Sequence, residues 1–127
     1  DPSHNSCYDN SWFSYSLSLA RKLNAEIHCN AQGGISMVDG AGYFNPDSYI
    51  GMETVYKQMS YVPEMGITEW DFSRYTPDYV IIALGQNDAH PDPKRIYEKN
   101  YREYWKTTYK NMVNSLIEKY GENNLHR

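Results

Sequence analysis

Cysteine is nearly absent from this chain. Cys7 and Cys29 are the two among 127 residues, with no CxxC pair and no metal-ligand spacing, so no zinc site is written in the sequence and buried free thiols are the plain expectation. Long apolar runs are missing too: none approaches the roughly 20 residues of a membrane span. No signal peptide or targeting segment is visible. The first residues, Asp1-Pro2-Ser3-His4-Asn5, lack an initiator Met and read as the interior of something longer. Basic residues are outnumbered, 12 against 16 acidic, for a formal charge of −4. That argues against a nucleic-acid partner, whose usual footprint is a clustered basic face. There is no GxGxxG and no P-loop lysine, which weakens a nucleotide- or phosphate-binding reading. Internal repeats and low-complexity segments are absent.

What the chain has is tyrosine: 13 Tyr, with 3 Trp. A tyrosine ring is apolar and its tip is polar, which suits a half-wet cleft such as a sugar site as well as ordinary packing. The length is that of one domain, able to bury roughly two-thirds of its unfolded surface. The organising stretch is Asp78-Tyr79-Val80-Ile81-Ile82-Ala83-Leu84-Gly85-Gln86-Asn87-Asp88. Six apolar residues, rich in β-branched types, predict a strand buried on both faces, as in a parallel sheet covered by helices. Ligands bind beyond the carboxyl ends of such strands, where Gln86, Asn87 and Asp88 sit.

Along the chain, residues 1–10 read as a loop. Asn10 or Ser11 caps a helix through about Leu23, with Phe13, Leu17, Ala20 and Leu23 on one face and Arg21 and Lys22 in its last turn. Residues 25–29 read as a short strand, followed by Asn30-Ala31-Gln32-Gly33-Gly34, where paired glycines let backbone approach a ligand closely. Residues 38–75 are less legible. Asp39-Gly40-Ala41-Gly42 and Asn45-Pro46-Asp47 are turn signals, Glu53 to Met59 reads as a short helix ended by Pro63 and Gly66, and Glu69 to Phe72 as a helical turn. A connection this rich in Gly, Tyr and Pro reads as a cleft wall. Asp92-Pro93 fits an N-cap with Pro at the first helical position. Tyr101, Trp105, Tyr109, Met112, Leu116 and Tyr120 then form an amphipathic stripe that ends at Gly121, a left-handed C-cap. Residues 125–127 look like the approach to another strand. Helix, strand, Gly-turn and helix in this rhythm make an α/β fold.

Two turns therefore lie at the carboxyl ends of two expected strands. Backbone N–H groups of a Gly turn and the Asn87 carboxamide are uncharged donors, and aimed at one point they form an oxyanion hole for acyl transfer.

Gly85-Gln86-Asn87-Asp88 resembles the GxND block of the SGNH (GDSL-like) hydrolases. Ala31-Gln32-Gly33-Gly34 resembles their second block, whose glycine N–H completes the oxyanion hole. The flanking wording, residues 18–26 before the first turn and Trp70-Asp71-Phe72 with Tyr75-Thr76-Pro77-Asp78 before the second, is similar to the second carbohydrate-esterase family. Those are secreted bacterial enzymes that remove acetyl groups from xylan and related glycans, and the resemblance spans nearly the whole chain. It implies a doubly wound parallel α/β sheet of flavodoxin-like type, incomplete in this chain. It implies Gly34 as the backbone donor, with Gly33 the alternative if the turn is shifted by one, and Asn87 as the side-chain donor. Gln86, Asp88 and His90 fall on the substrate side, Asp88 bracing the loop rather than reacting. No metal or cofactor is implied. The partners are acetylated polysaccharide or oligosaccharide and the remainder of the same catalytic domain, with no membrane.

The chain also departs from that family. Nothing reads GDS, and Ser3, Ser6, Ser11 and Ser36 lack a preceding apolar strand. The family's general base comes from a DxxH block, so His90 is expected as a contact rather than the base. On this reading the nucleophile lies before residue 1 and the base beyond residue 127. Residues 1–127 are then a central section of one catalytic domain, inactive and unable to fold alone. The competing expectation is a carbohydrate-binding module on the same fold.

Overall fold

The computed structural model describes residues 10–44, 49–60, 66–121 and 125–126. The chain divides into two compact units, Asp1–Ala31 and Gln32–Arg127.

The first unit is built on one short helix. Asn10 Oδ1 accepts from the Trp12 N–H at 3.0 Å, capping a 3-10 turn over Ser11–Phe13. Ser14 then takes extended backbone, and its hydroxyl accepts from Leu17 N–H, so the α-helix α1 begins only at Tyr15 and runs Tyr15–Leu23. The single helix expected from Asn10 is thus divided by a second cap. Asn24 closes α1 in the left-handed conformation, φ 52° and ψ 44°. The expected apolar face buries only Ala20, with Leu17 half-buried; Phe13 and Leu23 are exposed. Residues 25–29 are not a strand. They run without strand pairing and are exposed throughout, because an extended segment without a ladder partner or covering layer has nothing to hold it in a sheet.

The second unit packs around an irregular segment. Ile35, Met37, Val38 and Ala41 are buried together with Met52, Val55, Met112 and Leu116. A short helix α2 (Met52–Val55) leads into strand β1 (Gln58–Ser60), which pairs antiparallel with β2 (Thr68–Glu69). The helix expected from Glu53 to Met59 is therefore shorter and earlier. Its second half joins a ladder extended by the Trp70 N–H donating to the Lys57 carbonyl at 2.7 Å. The helical turn expected at 69–72 falls at Phe72–Arg74, capped by Asp71. The turn signal at 45–47 and the breaker Pro63 lie outside the described residues.

The central apolar run yields strand β3 (Val80–Ile81), paired in parallel with β4 (Leu125–His126). Between them lies the long helix α3 (Lys99–Tyr120). Parallel strands require such a crossover, and β-helix-β is its commonest form. The run is not buried on both faces: Val80, Ile82 and Leu84 are half-buried against the core, while Tyr79, Ile81 and Ala83 are exposed. The alternation is that of a strand covered on one side. Asp92 caps as expected, accepting from Lys94 N–H with Pro93 at the first position, but it opens a 3-10 turn over Pro93–Tyr97. Extended backbone at Glu98 delays α3 to Lys99. The stripe faces the core: Met112 and Leu116 are buried, and Tyr101, Trp105, Tyr109 and Tyr120 are half-buried around them. Burying one such Met or Leu contributes about 1.5–3 kcal/mol. Gly121 has φ +88° but ψ 154°, so the helix ends on a positive-φ glycine outside the left-handed helical region.

Candidate functional site

The two glycine-bearing turns meet. The first is a four-residue turn closed by the Ile35 N–H donating to the Gln32 carbonyl at 3.2 Å. Gly34 occupies its third position with φ +80°, a conformation that glycine adopts without steric cost. A Cβ there would also come within 2.9 Å of Tyr43 Cβ, since the Gly34 carbonyl accepts from Tyr43 N–H at 2.7 Å. Among the described residues no acceptor is found for the Gly34 N–H, and the residue is half-buried.

The second turn ends β3. Asn87 Nδ2 donates to the Ile35 carbonyl at 2.9 Å, one residue past Gly34. A primary amide carries two N–H donors, so this bond fixes the plane of the carboxamide and leaves a second donor. Asn87 is half-buried and Gln86 is exposed. Gly33 is exposed, with open space around it.

Asp88 is buried, 4% exposed. Its carboxylate accepts from Met37 N–H at 2.8 Å, Val38 N–H at 3.3 Å and the Trp105 indole at 2.7 Å. Its own carbonyl accepts from the Tyr101 hydroxyl at 2.8 Å. The side chain braces the loop, and a substrate contact through the carboxylate would have to displace these donors. These bonds belong to a larger accounting. Residues 35–38 are buried without regular structure, so every backbone polar group there needs a partner. Asp88 takes two N–H groups, Asn87 takes the Ile35 carbonyl, and the first N–H groups of α2, Met52 and Glu53, take the Ser36 and Met37 carbonyls at 2.8 and 3.0 Å. The Ser36 hydroxyl, wholly buried, donates toward the Val38 and Ala41 carbonyls at 2.7 and 2.9 Å. A serine so placed is a brace and not a nucleophile.

His90 is fastened to the loop 40–44. Its Nδ1 lies 2.6 Å from the Gly42 carbonyl; a carbonyl only accepts, so Nδ1 is the donor in this bond. Its backbone carbonyl accepts from Gly42 N–H at 2.9 Å. Its ring stacks on Tyr43, centroids 3.8 Å apart. Tyr43 itself is 59% exposed.

The structure thus brings Gly34, Asn87, Asp88 and His90 into one neighbourhood. Sequence reasoning missed the buried segment 35–38, the ring of Tyr43, and the polar tips of Tyr101 and Trp105. Those two lie one helical turn apart, and their paired polar tips were the one available signal. Two surface hollows lie elsewhere. One is within the first unit, beside Trp12, Leu17 and Ile27, and the other runs along α3 beside Tyr109 and Val113; neither is lined by Gly34 or Asn87. Among the described residues no group of three His, Cys, Asp or Glu is placed to hold a metal ion, and no helix is long and apolar enough to cross a membrane. Cys29 is exposed with a free thiol, and Cys7 lies outside the described residues.

No family model matches the chain, and no solved structure matches it. Among curated proteins it is similar to the cellulase/esterase CelE of Acetivibrio thermocellus, 31% identical over 116 residues, which are 90% of this chain and 12% of that protein. The chain thus corresponds to a small part of a much larger relative.

Proposed function

We propose that this chain is the oxyanion-holding section of a serine esterase that removes O-acetyl groups from carbohydrate of the xylan type. One observation carries the reading: Asn87 anchors its carboxamide on the Ile35 carbonyl, one residue past Gly34, so an uncharged side-chain donor is fixed against the turn that holds Gly34, both residues being half-buried. Such donors suit a carbonyl oxygen that becomes negative only in the transition state. The similarity to a protein named cellulase/esterase supports an ester substrate on a glycan. In the reaction a serine hydroxyl attacks the acetyl carbonyl, a histidine takes its proton, and Gly34 N–H and Asn87 Nδ2–H hold the oxyanion. The sugar hydroxyl then leaves with the proton, and water releases acetate. The serine and that histidine are not assigned to residues of this chain. No metal or cofactor is required by this chemistry. The parallel pair β3 and β4 across α3 supports a doubly wound sheet, and a glycan substrate supports a secreted enzyme.

A second reading, glycan binding without turnover, is favoured by the exposed Tyr43 ring seated on His90 beside Gly34. Asn87→Ala in the full-length protein separates the two. Esterase action predicts that acetyl release from acetylated xylan falls by ~10²–10³-fold while glycan binding barely moves. Unchanged hydrolysis removes the oxyanion assignment.

A further inference from the structure

The geometry points to Trp105 as a positioning residue for the esterase reaction, acting through Asp88 to fix the aim of Asn87; this rests on the reading just given. The loop Gly85–Asp88 sits on α3 at both of its ends. At its start, a Cβ on Gly85 would stand 3.2 Å from Trp105 Cζ2, so the indole fills the space against the backbone where β3 gives way to the loop. At its end, Trp105 Nε1 donates to Asp88 Oδ1 at 2.7 Å, and Tyr101, one helical turn earlier, donates to the Asp88 carbonyl at 2.8 Å. Tyr109, one turn later, stacks on the Trp105 ring with centroids 5.2 Å apart and an interplanar angle of 11°. The ring is held on one side and holds the loop on the other.

Asn87 lies between those two supports. Its carboxamide plane is set by the position of its own backbone and by the Ile35 carbonyl it binds. Asp88 governs both, because the same carboxylate that receives the indole N–H also receives Met37 and Val38 N–H. The indole-to-carboxylate bond is charge-assisted and directional. Its loss removes one of the three donors that fix the Asp88 carboxylate, and the relative placement of Gly34 and Asn87 loosens with it. Trp105 touches no reacting atom on this account. Misplacing a catalytic group by about 1 Å costs on the order of 10²-fold in rate, so loosening one of several supports is expected to cost ~10-fold.

The test is a double-mutant cycle on the full-length protein, with kcat and KM measured on acetylated xylan. Trp105→Phe removes the N–H together with part of the ring that fills the space against Gly85, so Tyr101→Phe, which removes only a hydroxyl from the same support, is measured beside it. Trp105→Phe should lower kcat by ~10-fold with KM held within about twofold, and should add no further loss in the Asn87→Ala background. An equal drop in both backgrounds overturns the proposal and leaves the esterase reading standing, because Trp105 would then act by another route. An unchanged kcat in Asn87→Ala alone overturns both. Tyr101→Phe is read identically, and decides alone should Trp105→Phe fail to fold: a drop in kcat that disappears without Asn87 supports the proposal, and one that persists refutes it.

Discussion

Asp88→Ala is the most informative single change for the fold. The substitution strips acceptors from three donors at once: the N–H groups of Met37 and Val38, both 0% exposed, and the half-buried indole of Trp105. A buried donor left unpaired costs about 1–3 kcal/mol. The three do not add fully, because Trp105 is only half-buried. We expect a loss of ~3–5 kcal/mol, against a total stability on the order of 5–15 kcal/mol for a domain. Urea unfolding of the full-length protein, compared at constant m value, reads it directly. Asp88→Asn keeps one acceptor oxygen but presents an NH2 to a donor, and should fall between wild type and Asp88→Ala. A loss below ~1 kcal/mol for Asp88→Ala would refute the view that this carboxylate holds the buried segment in place.

Gly51→Ala should destabilise by ~1–3 kcal/mol through overpacking, since a Cβ there would lie 2.3 Å from the Val38 carbonyl carbon; a neutral change in unfolding midpoint would show that α2 can slide away from residue 38. Tyr104 has its phenol pushed up to about 12, first by desolvation and then by its hydrogen bond to Glu53. Between pH 10 and 12 the unfolded phenol is ionised while the folded one is not, so the unfolded state binds fewer protons. This contribution to stability is fully present below pH 10 and is lost as pH rises toward 12. Phenolate absorbance of wild type and Tyr104→Phe checks the value, and Glu53→Gln should move it down.

Legibility in the sequence followed the range of the interactions involved. The stripe from Tyr101 to Tyr120 was readable because a helix writes its buried face every three or four residues, and the stripe does face the core. The caps at Asn10 and Asp92 were readable because each acts on residues within one turn. The two turns at Gly34 and Asn87 were marked by their glycines, and Asn87 does bond the Ile35 carbonyl, one residue past Gly34. The segment Ile35-Ser36-Met37-Val38 was not. Its partners are the Asn87 and Asp88 side chains about fifty positions away and the first backbone N–H groups of α2, so no local period announces it. Residues 25–29 were over-read for the reverse reason: strand preference expresses packing against neighbours, and none of these five residues is buried.

The bonds that hold the core and the bonds that aim the site are partly the same bonds. A buried stretch without helix or sheet must find acceptors and donors elsewhere, and here the loop Gly85–Asp88 supplies both kinds: Asn87 donates to residue 35 and Asp88 accepts from residues 37 and 38. The arrangement makes the spacing of Gly34 and Asn87 a property of the core rather than of two loops meeting at a surface. It also predicts an asymmetry among substitutions. Asn87→Ala strands one carbonyl, which has a second lone pair and tolerates the loss well, whereas Asp88→Ala strands three N–H groups. Activity should therefore be lost at residue 87 with the fold intact, and at residue 88 only together with the fold.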